Sequence, residues 1–306
     1  MMCWRYCYCE CEGQQVKIMQ TFKSNIIEIY GVKGEVWLQA LPSMVDAISK
    51  QYGLTALRPV SNMSFNYVAS GYQNEKAVIL KLGLDTLALS KEADCLKAFL
   101  NYGAVKVLAY DEGMILMKKA DPGVTLKTFF PGNDKQAVSV LCDTLKQLHA
   151  APIPEDHHFL TLKTVLSVLD HELDIPSDIL LKARQLRDHL LESSDADVLL
   201  HGDLHHDNVL KQNDQWLAID PKGFIGAPVF DVCAFLMNPM PTLLKQTNVV
   251  DMINLRIKHC ADLLSFSEKQ IKDWLYVKVV LGWAWALEDN METAYFSTLI
   301  KVYDEF

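Results

Sequence analysis

HGDLHHDN, at residues 201–208, places three histidines, two aspartates and one asparagine within eight positions, between two apolar runs. Buried charged groups need partners, so this composition is costly in an ordinary loop and favours a functional site. A further aspartate, Asp220, follows Asn208 by twelve residues, after two β-prone runs that flank the turn-forming QNDQ at 212–215. These runs predict a hairpin that returns Asp220 to the octet. The two segments together therefore predict one site.

Three interpretations of the octet are open. The simplest is a polar loop with a satisfied core histidine. The second is a metallohydrolase centre, although the chain contains neither His-x-His-x-Asp-His nor His-Glu-x-x-His. Its potential ligands would be His201, Asp203, His205, His206 and Asp207. The third is phosphoryl transfer, in which an aspartate accepts the proton of the substrate hydroxyl and an asparagine five positions later binds magnesium. Asp203 and Asn208 stand five positions apart.

Phosphoryl transfer also requires a second magnesium-binding aspartate on the next strand, and a strand lysine that is paired with a helix glutamate. Asp220 has the position of that aspartate. Lys81 lies in the apolar run AVILKLG, and Glu92 lies in the helical pattern that follows it. An unpaired ammonium inside such a strand would be costly, so Glu92 is the predicted partner of Lys81. Four required elements thus occur in the required order, which favours the third interpretation.

With these residues the chain resembles the aminoglycoside phosphotransferase branch of the protein-kinase-like fold. Within that branch it is most similar to the aminoglycoside/hydroxyurea antibiotic resistance kinases, the streptomycin 6-phosphotransferase family. The similar segments are HGDLHHDNVL at 201–210, WLAIDPKGFIGAPVFD at 216–231, LMNP at 236–239 and NIIEIYGVKGEVWLQALP at 25–42. The resemblance runs from Phe22 to the end of the chain. It implies an α+β, bilobal fold with a small, mainly antiparallel β N-lobe and a larger, mainly helical C-lobe.

By position, the resemblance implies a small-molecule kinase that uses ATP and Mg²⁺. Asp203 would be its catalytic base, and Asn208 and Asp220 would be the magnesium ligands. Lys81, supported by Glu92, would contact the nucleotide phosphates.

Four further residues would support the site. His201 would pack and hydrogen-bond to hold the loop. Asp231 would brace the catalytic loop through backbone hydrogen bonds, or would act as a simple helix N-cap. For His205 and His206, a structural role and a position next to the substrate are both open.

The segment that would cover the nucleotide, VSNMSFNYVASG at residues 60–71, departs from the Gly-x-Gly-x-x-Gly pattern of such loops. Ser61, Asn62 and Ser64 would offer backbone amides and hydroxyls to the phosphates instead, although an ordinary hairpin could contain the same residues. Met117, in the segment that joins the lobes, would contact the nucleotide. The chain contains no Walker lysine motif, which excludes the P-loop class.

The predicted organisation has three parts: a cysteine-rich extension at 1–18 outside the fold, a nucleotide-binding N-lobe at 19–118, and a C-lobe at 119–306 with the catalytic loop and the substrate site. In the N-lobe, a peripheral helix is expected from Leu41, with Ser43 as its N-cap and Gly53 as its end. Four cysteines fall in the extension. The other four are predicted to be reduced core residues: Cys95, Cys142, Cys233 and Cys260.

The 306 residues are 50% hydrophobic and 22% charged, which excludes a disordered chain, and the net charge of −9 argues against nucleic-acid binding. The longest apolar candidate, LYVKVVLGWAWAL at 275–287, contains Lys278 and is predicted to be a buried helix rather than a membrane span. A cytoplasmic protein follows, without membrane partners and with its oligomeric state open.

The negative net charge is compatible with a cationic substrate such as streptomycin, whose guanidinium groups pair with carboxylates. The candidate carboxylates are Asp207, Glu288 and Asp289. Two alternatives remain open at this point. One is a kinase of another small hydroxyl compound, either hydroxyurea or a metabolite, and the other is a nucleotide-binding regulator without turnover.

Overall fold

The computed structural model describes residues 19–61, 63–193 and 196–303. Its contacts divide the chain into two compact units. The first holds the described residues up to Ala93 together with Lys106–Lys119, and the second holds Asp94–Val105 and the residues from Ala120 onward. Residues 94–105, which were expected in the N-lobe, thus belong to the second unit. The predicted extension at 1–18, with its cysteines, lies outside the described residues.

The first unit contains a five-stranded antiparallel sheet with the order β1-β2-β3-β5-β4. Its strands are β1 (Leu54–Pro59), β2 (Tyr67–Gln73), β3 (Lys76–Leu82), β4 (Val107–Asp111) and β5 (Met114–Lys118). A two-residue turn joins β2 to β3, and both of its residues, Asn74 and Glu75, have positive φ, at 47° and 64°. Such turns match the twist of paired strands, which fixes the register of β3 and hence the position of Lys81.

Two helices pack on this sheet: α1 at residues 19–30 and α2 at Val32–Tyr52. The prediction of a helix from Leu41 capped by Ser43 is wrong, because α2 begins nine residues earlier and contains Pro42 in its interior. The predicted end is confirmed, since Gly53 adopts the left-handed conformation at φ 63°. The helices are not peripheral. Their apolar residues share one core with the sheet, including Phe22, Ile26, Trp37, Leu41 and Tyr67.

The second unit is mainly helical. Helix α3 (Thr86–Ala98) begins in the first unit and ends in the second. The remaining helices are α4 (Asp134–His149), α5 (Leu162–Leu166), α6 (Ser177–Glu192), α7 (Phe230–Leu236), α8 (Val249–Leu264), α9 (Glu268–Glu288) and α10 (Ala294–Tyr303). Short 3₁₀ helices lie at Leu126–Phe129, Ser167–Asp170, His206–Asn208 and Leu243–Lys245.

Helix α9 is the central element of this unit, because α6, α7, α8 and α10 all pack against it. A helix that is contacted on every side is apolar around its whole circumference, which explains the long apolar run in its sequence. The prediction of a buried helix is therefore confirmed. Within the described part of the chain, no helix has the length and apolar character needed to cross a membrane.

Two small sheets complete the second unit. One has the order β10-β9-β6, and the other has the order β7-β11-β8. Their strands are β6 (Pro122–Thr125), β7 (Leu160–Thr161), β8 (Val198–Leu200), β9 (Val209–Gln212), β10 (Gln215–Ala218) and β11 (Phe224–Gly226). Strands β9 and β10 form the hairpin that the sequence predicts, with Gln212 paired to Gln215 across a two-residue turn.

Two buried groups connect the helices of the second unit. The guanidinium of Arg256 on α8, which is 1% exposed, donates to both carboxylate oxygens of Asp134 at 2.6 and 2.7 Å. It also donates to the carbonyl of Phe235 at the end of α7 and to that of Asn238 just after it. The sulfur atoms of Cys142 and Cys260 lie 3.9 Å apart, between α4 and α8. The four predicted core cysteines are buried and free, as expected.

Candidate active site

The octet begins where β8 ends, and its first turn requires glycine. Gly202 has φ 82°, and a side chain at this position would meet the ring of Phe224 at 2.8 Å. Only glycine adopts this backbone without strain and fits the space, so the loop passes directly over β11. The following residue, Asp203, is thereby turned out of the buried strand, and its side chain is 34% exposed.

The imidazole of His201 is completely buried and bonded at both nitrogens. Its Nε2 donates to the carbonyl of Ile219 at 2.9 Å, and its Nδ1 accepts from the backbone N–H of Asp203 at 3.2 Å. Because Nδ1 accepts, the ring is neutral in this arrangement. Burial lowers the pKa of His201, against the opposing influence of Asp231 and nearby carboxylates. His201 therefore fixes the loop to the residue that precedes Asp220.

The carboxylate of Asp231 holds the same loop from below. It accepts the backbone N–H groups of His201 at 2.8 Å and of Gly202 at 2.7 Å, and it lies 2.9 Å from His149 Nε2. Burial alone would favour its neutral form, but the hydrogen bond and charge of His149 lower the pKa of Asp231. Asp231 is the second residue of α7, where its carboxylate also favours the positive end of the helix.

The β9–β10 hairpin brings Asn208 and Asp220 to one end. Asn208 immediately precedes β9, and the N–H of Ile219, just after β10, donates to the carbonyl of Asn208 at 3.0 Å. Asp220 then adopts φ 60°, which is uncommon for a residue with a side chain and is concentrated at functional sites. The two side chains thus leave neighbouring points of the backbone.

The donor set at this end fits a magnesium ion. Asn208 Nδ2 donates to the carbonyl of Asp203 at 2.9 Å, so the amide is oriented and its Oδ1 is the atom that would meet a cation. Mg²⁺ prefers hard oxygen ligands, and a carboxylate with an amide oxygen meets that preference. In the described ranges, no group of three or more His, Cys, Asp or Glu side chains could hold a metal ion, so the residues give no support to the metallohydrolase interpretation.

The two other histidines of the octet have different surroundings. His205 is partly buried: its Nδ1 accepts from the N–H of Asp207 at 3.2 Å, and its Nε2 lies 3.9 Å from Asp203 Oδ2. His206 is fully buried and stacks on Phe235 with ring centroids 4.0 Å apart. Both ring nitrogens of His206 lack a hydrogen-bond partner among the described residues. Its position is therefore structural.

In the first unit, Lys81 and Glu92 form a buried ion pair. Lys81 Nζ donates to Glu92 Oε2 at 2.6 Å, and both side chains are 7% exposed. Lys81 lies on β3 and Glu92 on α3, which is the pairing that the sequence predicts for a strand lysine and a helix glutamate. Ser61 and Ser64 lie exposed in the turn between β1 and β2, whereas Asn62 lies outside the described residues. Met117 is buried on β5.

The three acidic candidates for substrate contact lie in two places. Asp207 pairs with Lys127 at 3.1 Å at the surface, so its carboxylate already has a cationic partner. Glu288 is the last residue of α9 and Asp289 is its C-cap, and both are exposed. These two carboxylates are accessible to a cation.

Two residues of the site were missed in the sequence analysis. His149, the last residue of α4, contacts Asp231, and Lys278 in the middle of α9 donates to the carbonyl of Gly202 at 2.9 Å. The sequence did offer an indication of Lys278, because a single lysine within a long apolar helix needs a buried acceptor. It offered no indication of His149, since a histidine at the end of an amphipathic helix is normally exposed.

The loop at 201–208, the hairpin that brings Asn208 and Asp220 together, and the strand lysine paired to a helix glutamate are the features expected of a phosphotransferase of the protein-kinase-like class. Residues 64–290 match the family model described as aminoglycoside/hydroxyurea antibiotic resistance kinase. The chain belongs to this family, which confirms the predicted kinase class and the transfer to an alcohol group.

Individual relatives agree with this assignment. Streptomycin 6-kinase from Streptomyces glaucescens is 26% identical over 290 residues, which are 90% of this chain and 92% of the relative. Streptomycin 3''-kinase from Klebsiella pneumoniae is 31% identical over 195 residues, which are 61% of this chain and 72% of the relative. The crystal structure of aminoglycoside phosphotransferase APH(4)-Ia matches with a TM-score of 0.66 at 13% identity, covering 87% of this chain and 97% of that chain. This likeness confirms the predicted fold.

Proposed function

We propose that the protein transfers the terminal phosphoryl group of ATP to a hydroxyl of streptomycin or a closely related aminoglycoside, in a reaction that requires Mg²⁺. The main support for the proposal is the arrangement of Asp203, Asn208 and Asp220 at the end of one hairpin, opposite its turn. The streptomycin kinases among the relatives support the choice of acceptor.

Each residue has a distinct role in this proposal. Asp203 accepts the proton of the acceptor hydroxyl as that oxygen bonds to the γ-phosphorus of ATP, and ADP leaves with the bridging oxygen as its bond to the γ-phosphorus breaks. Asn208 Oδ1 and the carboxylate of Asp220 would hold the magnesium ion, which would neutralise phosphate charge. Lys81, oriented by Glu92, contacts the nucleotide phosphates. The protein supplies positioning and charge, which are the main sources of rate in phosphoryl transfer.

The exposed carboxylates at the end of α9 support a cationic acceptor. Glu288 and Asp289 can form bidentate pairs with a guanidinium group, a geometry that neutral acceptors cannot use. Asp207 would have to break its ion pair with Lys127 before its carboxylate could bind the substrate. The carboxylates of α9 are therefore the stronger candidates.

A coupled assay of ADP production tests the proposal directly. The purified protein is given ATP and Mg²⁺ with streptomycin, other aminoglycosides or hydroxyurea, and turnover with streptomycin is expected. Asp203→Asn should lower kcat by about 10²–10⁴-fold, the usual contribution of a general base. Asp214→Asn, an exposed aspartate in the turn of the same hairpin, is the control and should retain wild-type kcat. Wild-type turnover by the Asp203 variant would refute the assignment of the base.

Two measurements define the acceptor further. The site of phosphorylation, read by NMR of the product, distinguishes transfer to the 6 position from transfer to the 3'' position. Hydroxyurea is the second candidate acceptor, because the matched family model includes hydroxyurea kinases in its description. Hydroxyurea is neutral, so the double variant Glu288→Gln/Asp289→Asn should raise KM for streptomycin and leave KM for hydroxyurea unchanged.

A further inference from the structure

We propose that Lys278 is a positioning residue for phosphoryl transfer: its ammonium group holds the peptide between Gly202 and Asp203 in the orientation that presents the Asp203 carboxylate. The proposal rests on the proposed function, because it assigns Asp203 the role of the base. It adds a requirement that neither the octet nor the hairpin contains, namely a cation from a helix more than seventy residues further along the chain.

The peptide between Gly202 and Asp203 is held at both of its polar atoms. Its carbonyl oxygen accepts from Lys278 Nζ at 2.9 Å, and its N–H donates to His201 Nδ1 at 3.2 Å. A peptide plane that is bonded on both edges cannot rotate without breaking one of these bonds. The nitrogen of this peptide is bonded to the Cα atom of Asp203, which carries the side chain. Fixing the peptide plane therefore fixes the direction in which the carboxylate leaves the backbone.

The surroundings of Lys278 stabilise a buried ammonium group. The residue is 4% exposed, and its Nζ lies 4.8 Å from the ring centroid of Phe230 and 5.2 Å from that of Trp285. Aromatic faces attract cations, and a carbonyl oxygen supplies the directional partner. Within the described part of the chain, Lys278 is the only basic residue between Asp273 and Ile300.

The charges around Lys278 also point to the catalytic base. Burial lowers the pKa of Lys278, and the two carboxylates that oppose this effect are Asp203, which has the larger influence, and Asp231. Lys222 acts in the opposite direction. Lys278 thus bonds the peptide of Asp203 and interacts with the charge of Asp203, and helix packing alone would require neither. A methionine of nearly the same length would fill the same space without the cost of burying a charge.

The test compares three variants of the full-length protein. Lys278→Met keeps the aliphatic stem and removes the donor, Lys278→Gln keeps a shorter donor without the charge, and Lys301→Met is the control. Lys301 is an exposed lysine on α10. We expect kcat of the methionine variant to fall about 10²-fold, the effect of a small misplacement of a reacting group. KM for streptomycin and the affinity for Mg·ADP should remain within about threefold, because positioning acts on the chemical step.

Hydrogen exchange gives a measurement that does not depend on the acceptor. The amide protons of residues 201–204 should exchange at least tenfold faster in the methionine and glutamine variants, with unchanged protection in α9. If the wild-type protein phosphorylates nothing in the panel, the proposed function fails, while the exchange rates still decide the role of Lys278. The proposal is overturned if either folded variant keeps wild-type kcat, or if exchange at 201–204 is unchanged. If Lys278→Met does not fold, the glutamine variant decides by the same two measurements.

Discussion

The carboxylate of Asp231 lies 2.9 Å from His149 Nε2 and accepts the backbone N–H groups of His201 and Gly202. One buried side chain therefore joins the start of α7, the end of α4 and the loop that contains Asp203, the proposed base. In Asp231→Asn, the amide NH₂ group would face one of the groups that now donate to the carboxylate, and two donors cannot form a hydrogen bond. We expect the free energy of unfolding to fall by about 2 kcal/mol. Urea unfolding at pH 7 measures it.

The same residue predicts an acid dependence of stability. The pKa of Asp231 is lowered by folding, so its contribution is complete above the ordinary carboxyl pKa of 3.8 and is lost as the pH falls below that value. The difference in unfolding free energy between the wild type and Asp231→Asn should therefore shrink between pH 5 and pH 3. An unchanged difference across that range would contradict an ionised, buried Asp231.

His206 predicts a second dependence, in a different pH window. Burial, followed by the charge of Arg256, lowers the pKa of His206 from 6.5 to about 2. The unfolded chain binds a proton below pH 6.5 and the folded chain does not, so stability is lost as the pH falls from 6.5 towards 2. Between pH 7 and pH 5 the contribution is about 2 kcal/mol. His206→Phe should keep the stacking on Phe235 and remove this part of the pH dependence, measured by urea unfolding at the two pH values.

Asn208 predicts the metal dependence of activity. Asn208→Ala removes the amide oxygen proposed to bind Mg²⁺ and the hydrogen bond to the carbonyl of Asp203. The concentration of Mg²⁺ that gives half-maximal rate should rise at least about tenfold, as expected when a ligand of a metal site is lost. Asn213→Gly is the matched control, because it removes an exposed amide from the turn of the hairpin and glycine adopts the φ of 50° at this position without strain. A normal magnesium requirement in Asn208→Ala would show that the ion binds elsewhere.

Arg256 predicts a large effect on stability that is independent of the site. Arg256→Met leaves the carboxylate of Asp134 with 15% exposure and no cation, and leaves several carbonyl groups without their donor. Breaking one half of a buried pair costs about 3–5 kcal/mol. The double variant Arg256→Met/Asp134→Leu should recover part of the loss, because no charge is then left buried. Thermal or urea unfolding of both variants checks the coupling.

The sequence was sufficient for those parts of the fold that depend on local patterns. The hairpin at 209–218, the buried α9 and the left-handed end of α2 at Gly53 follow from alternation, apolar length and turn residues, and the structure has all three. The start of α2 was not predictable in the same way. Ser43 was expected to cap the helix, whereas tertiary packing of Trp37 and Leu41 on the sheet keeps the helix continuous through Pro42.

Contacts between distant segments account for the rest. Lys278 on α9 reaches the loop at 201–208, and His149 on α4 reaches Asp231, which holds that loop. Nothing in the local sequence of either helix indicates which carbonyl or carboxylate its side chain meets. The octet itself could be identified because its residues are adjacent in the chain. Its supports are adjacent only after the second unit has folded.

The hairpin between Asn208 and Asp220 also limits which insertions and deletions this segment can accept. Its ladder pairs Val209 with Ala218 and Gln212 with Gln215, so the two ends stay opposite each other only when the strands are equal in length. Adding one residue to each strand would move the turn outward and preserve the base of the hairpin. Adding a residue to one strand alone would turn Asp220 to the opposite face. Natural or engineered length changes in this hairpin should therefore occur in matched pairs.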